Sequence, residues 1–448
     1  MAGAACSLTL PITQSATEPI FEAGTSAGAA IQQWGHVRLF SPWKYLVDIE
    51  AQALLRETSW TMPDPEGYPT GQQFLDAYLT PLAQTRQLAP CIHWNTRVLA
   101  VTRQGYDKMK TAGREQAPLL VRVQTADGRE EDILARAIID ASGTYGQPNP
   151  LGASGTHARG EKALAEHLFY GIPHILGQHW NRFAGRRVLV VGSGHSAFNA
   201  LLDLATLAEQ ESATTIQWAI RRPHIHQLFG GGEQDGLPAR GQLGMRIQQL
   251  VQQGRVALVT GVQIEALHAT DAGMVVAGED RLTPVDEIIV TTGFRPDLSL
   301  LQELRLGLDP ITESPVALAP LIDPNVHSCG TVPPHGIDEL SHPEPNVYIV
   351  GMKSYGRAPT FLMLTGYEQV RSITCALTGD WERARTVQLE LPETGVCSTD
   401  FGGSCCQTAP DAKESVHAAT STACCSPAAP ALITIGGTRK TEGTCCGE

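Results

Sequence analysis

No stretch of this 448-residue chain is apolar for long enough to cross a membrane as a helix. A basic stripe is missing too. The 33 Lys and Arg stand against 46 Asp and Glu, a formal net charge of -13. That balance argues against a nucleic-acid or anionic-membrane partner. Met1 to Glu18 contain no Lys or Arg, so the charged start of a secretory leader is absent and a cytoplasmic location is expected. Four of the 11 cysteines are scattered, at Cys6, Cys91, Cys329 and Cys375, and none forms a Cys-x-x-Cys or Cys-x4-Cys pair. A reductase working on disulfides uses such a dithiol beside its redox cofactor. A secreted disulfide framework is excluded as well, because it would spread cysteines through the fold.

What remains is ordinary globular material, 42% apolar and 18% charged, long enough for two or three domains. Residues 1–19 read as irregular. Ile20 to Gly24 reads as a short strand that ends in an acid and a turn. Thr70 and Gln73 have capping-box spacing, and Phe74, Leu75, Tyr78, Leu79 and Leu82 follow at helical period. Strands are expected at Arg97–Arg103, Leu119–Val123 and Ala137–Ala141. The pattern then resets. Arg187–Val191 (RVLVV) reads as a buried strand leading into a Gly-rich turn and a helix with Phe198, Leu201, Leu202 and Ala205 on one face. Further strands are expected at Thr214–Ile220, Val256–Thr260, Asp286–Thr292 and Asn346–Val350, and a helix from about Thr360 to Leu377. Strand, Gly-rich turn, helix, strand is a βαβ unit and implies an α/β fold with a parallel sheet.

The turn Gly192-x-Gly194-x-x-Ala197 follows a strand and opens a helix, the context of a dinucleotide fingerprint. Gly192 permits the tight turn, Gly194 lets a pyrophosphate approach the backbone, and Ala197 keeps helix and strand close. Ser196 lies in the first helical turn, whose free N–H groups and positive dipole end favour phosphate. The next strand ends in Arg221-Arg222 and not in the acid that binds a ribose 2′-hydroxyl. Two guanidinium groups suit a 2′-phosphate, so NADPH is the expected nucleotide. A Gly-rich turn that binds nothing is the alternative.

The order of motifs over roughly residues 20 to 380 resembles the flavin-containing monooxygenases and their relatives among two-dinucleotide-binding-domain flavoproteins. Phe21-Glu22-Ala23-Gly24 resembles the end of the second strand of an FAD unit. Ala30 to Trp34 resembles a flavin-proximal GGxW segment, and Asn95 to Val101 the strand that meets the adenine near Val98. Asp140 to Gly143 and Thr291 to Pro296 resemble the two crossovers of the group, and Asn346 to Gly351 the strand returning to the flavin. The resemblance implies FAD on Glu22, Trp34, Val98, Ser142, Gly143 and Gly351, and NADPH on Gly192, Gly194, Ser196, Ala197, Arg221 and Arg222. Three departures stand out. No GxGxxG precedes Glu22, so the first part of the FAD unit is expected to be incomplete. Met352 stands where the group carries an acid. The monooxygenase fingerprint is only loosely present around His174 to Gly185.

Trp34 to Trp43, Gly230 to Arg240 and Gly356 to Phe361 resemble flavoproteins encoded with arsenic-resistance genes. That resemblance makes Arg38, Ser41 and Arg357 candidate flavin or substrate contacts, with ordinary surface roles as the alternative. The implied chemistry is transfer of one oxygen atom from O₂ to a soft nucleophile; the cofactor carries that chemistry and the protein supplies orientation. His224 and His226 would share a face of a strand, but no third ligand joins them. The Gly230 to Gly232 run reads as a loop near the nicotinamide, or simply as a surface loop.

Beyond Glu390 the chain is rich in Ala, Ser, Thr, Gly, Pro and Cys, as disordered tails are. It holds Cys397 and three vicinal pairs: Cys405-Cys406, Cys424-Cys425 and Cys445-Cys446. Vicinal thiolates favour soft ions such as As(III), Sb(III) or Hg(II). An inert tail, storage and redox sensing stay open. The expected division is an FAD-binding part (1–150), an NADPH-binding domain (151–322), a second FAD-binding part (323–390) and the Cys-rich tail (391–448). The expected activity is oxidation of a small-molecule or metalloid substrate with O₂. A disulfide or metal-ion reductase, and a non-catalytic metalloid binder, are the alternatives.

Overall fold

The computed structural model of the chain describes residues 18–225, 228–230, 232, 237–326, 332–359 and 361–389. The chain parts into two units, 1–402 and 403–448, and every described residue belongs to the first.

Strand β1 (Ile20–Phe21) runs parallel to β2 (Ile92–His93). Between them lies a helical region with its own core around Trp43, Leu55, Phe74, Tyr78 and Leu82. The capping box forms: Thr70 accepts from the Gln73 N–H at 3.2 Å, and Gln73 accepts from the Thr70 N–H at 2.8 Å. The helix it starts is not uniform, because residues 75–79 widen into a π segment. Pro81 explains this. It has no N–H to give the carbonyl four residues back, and its ring crowds that position. The carbonyl in question, Ala77, accepts instead from the Trp60 indole at 2.6 Å.

Strands β3 (Arg97–Arg103), β4 (Leu119–Gln124) and β5 (Glu130–Ala135) form an antiparallel sheet, with an irregularity in β3 between Val98 and Ala100. Strand β6 (Ile138–Asp140) is parallel to β14 (Val347–Ile349). The sheets β1–β2 and β14–β6 are separate, each of two strands. Residues 1–17, where an incomplete FAD unit was expected, lie outside the described residues.

The middle of the chain builds a five-stranded parallel sheet. Its members are β7 (Leu168–Tyr170), β8 (Arg187–Val191), β9 (Thr215–Ile220), β10 (Ala257–Thr260) and β13 (Glu287–Val290), in the order β10-β9-β8-β13-β7. A hairpin, β11 (Leu267–Thr270) and β12 (Gly273–Val276), packs on it. Successive residues of β8 serve opposite faces: Val188 and Val190 in one core, Leu189 and Val191 in the other. Helices α1 (His195–Gln210) and α2 (Pro238–Gln252) pack against each other, and α1 fills the first of these cores. Helix α3 (Met363–Leu377) follows β14 and is mostly buried, starting three residues later than the sequence pattern suggested. Among the described residues no helix is long and apolar enough to cross a membrane.

A buried ionic cluster joins distant parts of the chain. Glu344, just before β14, takes Arg103 from the end of β3 at 2.8 Å and Arg114 from the loop after it. The Arg305 N–H donates to it at 3.0 Å. Burial alone would raise the Glu344 carboxyl; the bonds from Arg114, the Arg305 N–H and Arg103 outweigh it and hold the carboxyl below the usual range. A depressed acid contributes stability that is full above its unfolded value and is lost as pH falls through the folded one. Glu344→Gln leaves two guanidinium groups without their carboxylate and should cost about 3–5 kcal/mol at neutral pH. Denaturant unfolding at neutral and acid pH checks this. The gap between wild type and variant should close as the pH drops below 4.5, the ordinary glutamate value.

Candidate functional site

The β8–α1 turn has the geometry the fingerprint requires. Gly192 has φ 133°, and a Cβ there would lie 2.4 Å from the Thr291 carbonyl oxygen. Its own carbonyl accepts from the buried Trp218 indole at 2.7 Å. At Gly194, the N-cap of α1, a Cβ would meet nothing within 4 Å, so the backbone is open to a ligand. Ser196 lies in the first turn of α1 and Ala197 is fully buried against the sheet. Arg221 and Arg222 follow directly on β9, with Arg221 donating to the Ala153 carbonyl at 3.0 Å.

The ends of β1, β6 and β14 form the second half. Glu22 leaves β1 half-buried; one oxygen accepts from the Gly24 N–H at 2.7 Å. Its carboxylate lines a cleft of about 500 Å³ together with Arg97, Tyr145, Tyr170 and Phe294. Tyr145 and Phe294 stack across it with centroids 5.1 Å apart. Gly143 and Gly351 both have positive φ, 74° and 68°, and at both a Cβ would meet nothing within 4 Å. These loops therefore offer open backbone at adjacent strand ends. Ser142 reaches the same place, accepting from the Lys353 ammonium at 2.9 Å. Trp34 and Val98 adjoin Gln33 and Arg97 of the cleft wall; the Trp34 ring lies over Gly71, and the Val98 side chain packs on the core of β3 and β4. An FAD molecule has its test in these residues. A carboxylate after β1, a cleft, and two side-chain-free loops fit its ribose end and its ring end.

The two crossovers hold each other. Asn149 donates from its side chain to the Thr292 carbonyl at 3.0 Å and accepts from Arg295 Nε at 2.8 Å, while Thr292 returns a bond to the Asn149 carbonyl at 2.9 Å. A strap at residues 36–40 adds ring contacts. His36 stacks on His174 at 4.5 Å, and Phe40 meets His195, the first residue of α1, at 5.2 Å. Burial, then the neighbouring His174, pushes His36 down to about 4.

Several expected contacts are occupied otherwise. Arg38 donates to the Tyr68 carbonyl at 2.5 Å, and Arg357 pairs with Glu313 at 2.7 Å. Cys91 donates to the Gln87 carbonyl, and Cys375 is buried next to Arg371. Among the described residues no group of three or more His, Cys, Asp or Glu is arranged to hold a metal ion. His226, Cys329, Cys397 and the pairs Cys405-Cys406, Cys424-Cys425 and Cys445-Cys446 lie outside the described residues. Lys353, Tyr145 and Tyr170 were not anticipated, and Arg97 and Phe294 lie inside the Asn95–Val101 and Thr291–Pro296 segments without being singled out. Arg97 adjoins a motif residue and was within reach of the reading; a lysine buried after a returning strand carries no local signal.

Two outcomes follow. Gly192→Ala should weaken NADPH binding at least about tenfold, since a Cβ 2.4 Å from the Thr291 carbonyl oxygen forces the turn to move; isothermal titration reads it. His36 is neutral when folded, so its stack contributes fully above pH 6.5 and loses that contribution as pH falls from 6.5 toward about 4. The melting temperature of wild type should therefore drop more steeply across that window than that of His36→Phe.

Comparison with known proteins agrees with this geometry. Residues 1–317 match the family described as pyridine nucleotide-disulphide oxidoreductase. A curated relative, ferredoxin–NADP reductase 2 of Cupriavidus metallidurans, is 28% identical over 247 residues, 54% of this chain; the match spans about half of that protein, 55%. Among solved structures, bacillithiol disulfide reductase from Bacillus cereus superposes with a TM-score of 0.59 at 18% identity, covering 84% of this chain and 94% of that one. The cadaverine monooxygenase of desferrioxamine biosynthesis from Erwinia amylovora, bound to FAD, gives 0.57 at 13% identity, covering 87% and 94%. The ornithine N-hydroxylase of Kutzneria sp. 744 gives 0.52 at 15%, covering 86% and 97%. With its parallel nucleotide sheet, its paired crossovers and a family match over more than half its length, this chain belongs to the pyridine nucleotide-disulphide oxidoreductase family.

Proposed function

We propose that this chain is an NADPH- and FAD-dependent monooxygenase that oxidises a soft nucleophile, with trivalent arsenic or antimony compounds as the substrate class. NADPH sits on Gly192, Gly194, Ser196, Ala197, Arg221 and Arg222. FAD sits on Glu22, Trp34, Val98, Ser142, Gly143 and Gly351, with Arg97 and Tyr145 added by the cleft. When bound, FAD carries two electrons from NADPH to O₂, so that one oxygen atom reaches the substrate and the other leaves as water. The protein binds, orients and excludes solvent. The crossover pairing at Asn149 holds the nucleotide turn and the open loops in one frame.

One observation carries the choice of oxidation over disulfide reduction. The described thiols, Cys91 and Cys375, are single, and each is engaged with a non-thiol neighbour. Oxygen transfer from a flavin needs no thiol, whereas disulfide reduction needs an accessible attacking thiolate, and Cys375 is buried. The metalloid class rests on the segments around Trp34, Gly230 and Gly356, and on the vicinal cysteines at 405–406, 424–425 and 445–446. The division into residues 1–150, 151–322, 323–390 and 391–448 is part of the same reading. A reductase that uses the tail thiols is the second reading, favoured by the family's disulfide-reducing members.

The deciding experiment is the visible spectrum of the purified full chain with FAD added. A bound-flavin spectrum that bleaches with NADPH and recovers in air, with arsenite speeding NADPH consumption, is the expected result. NADPH-dependent disulfide reduction without O₂ would favour the second reading, and no flavin under any condition would sink both. Arg221→Ala/Arg222→Ala should cost NADPH about 10- to 100-fold in affinity while sparing NADH, as loss of charge-assisted bonds to a 2′-phosphate does.

A further inference from the structure

Lysine is among the side chains least often fully buried, because a lone ammonium is costly to remove from water. Lys353 is 1% exposed. Its position is therefore bound to its partners. The ammonium donates to Asp140 Oδ2 at 2.7 Å and to the Ser142 hydroxyl at 2.9 Å. Asp140 closes β6, and its other oxygen accepts from the Ser142 N–H at 3.0 Å. Lys353 itself lies just past β14. One side chain thus crosses from the end of one strand to the loop after its neighbour.

The two loops are anchored unequally. The return loop is held from below by α3: Gln369 accepts from the Gly351 N–H at 2.8 Å and donates to Ser354 Oγ at 2.8 Å. Gln369 is in turn bonded to His335 at 2.9 Å, whose Nδ1–H meets the Pro333 carbonyl. Among the described residues, no helix side chain holds the crossover loop in the same way. Among the described residues, the side-chain hydrogen bonds between 140–143 and 351–354 all run through Lys353. The open faces of Gly143 and Gly351 lie on these loops.

We infer that Lys353 is a positioning residue: its ammonium staples the crossover loop 141–143 to the return loop 351–354 and sets the separation at which they receive the flavin. The staple stands on the geometry; its purpose rests on the proposed FAD reading. The charge matters as well as the shape. Charge-assisted bonds are shorter and stiffer than those of a neutral amide pair, so a neutral replacement can satisfy the buried groups and still leave the gap loose.

Three variants test it: Lys353→Met, which strands Asp140; Asp140→Asn/Lys353→Gln, a neutral pair of similar size; and Lys353→Arg, which keeps the charge. Each is followed by FAD titration of the full-length protein, by melting temperature, and by amide hydrogen exchange of the flavin-free protein. The neutral pair should recover most of the melting temperature that Lys353→Met loses, yet bind FAD about tenfold more weakly than wild type. Lys353→Arg should regain part of that affinity. Exchange at 141–143 and 351–354 should rise in Lys353→Met and in the neutral pair while the β8 and β9 amides stay protected. Wild-type FAD affinity in the neutral pair would show that the lysine serves the fold alone and overturn the inference. Unchanged exchange at both loops would overturn it too. If wild type takes up no FAD, the proposed reading fails, and the exchange comparison still decides the staple.

Discussion

Asn149 is the joint on which the molecule turns. One amide side chain donates to the carbonyl of Thr292 and accepts from Arg295, and the main chain around it pairs with Gly293 and Phe294. From this joint, order spreads in two directions. Thr291 lies on the far side, and its carbonyl and hydroxyl fill the space beside Gly192, so the nucleotide turn is shaped by the crossover as much as by its own glycines. On the near side the chain runs back to Ser142 and Asp140, and through Lys353 to Gly351. A redox enzyme with two nucleotides must hold them in register, because small errors in geometry cost reaction rate steeply. Here short polar contacts between loops add to the apolar core that Leu301 and Leu304 share with Val347 and Ile349.

Buried charge recurs where the chain passes between sheets. Glu344 gathers Arg103 and Arg114, Glu161 gathers Tyr170 with the amides of Leu151 and Ala158, and Lys353 meets Asp140. Such clusters add little net stability over apolar packing, but they tolerate few alternative arrangements. Each lies at a place where the chain leaves one sheet for another. The apolar cores fill both faces of the parallel sheet, pack α1 onto it, and join β3 and β4 to β14 in one further core.

Local patterns were legible where local physics decides. The strand at Arg187–Val191 and the box at Thr70 and Gln73 are each set by neighbours a few residues apart. Patterns were opaque where a distant atom decides. Strand β7 is three residues long and exists because β13 lies beside it. The π segment at 75–79 reflects Pro81, visible in the sequence, but its stability depends on Trp60 reaching Ala77 from another loop. The cleft makes the same point: Arg97, Tyr145 and Phe294 come to it from three separate segments of the chain.

The order of residues alone determined the class of fold and the strand, Gly-rich turn and helix around Gly192, because glycine torsions and hydrophobic period are properties of short segments. The tertiary structure alone decided that Glu22 would share a cleft with Tyr145 and Phe294, that Cys91 and Cys375 would stay apart, and that Lys353 would be sealed beneath two loops. Those outcomes depend on which strand ends lie side by side. The sheet sets that adjacency by pairing residues more than two hundred positions apart.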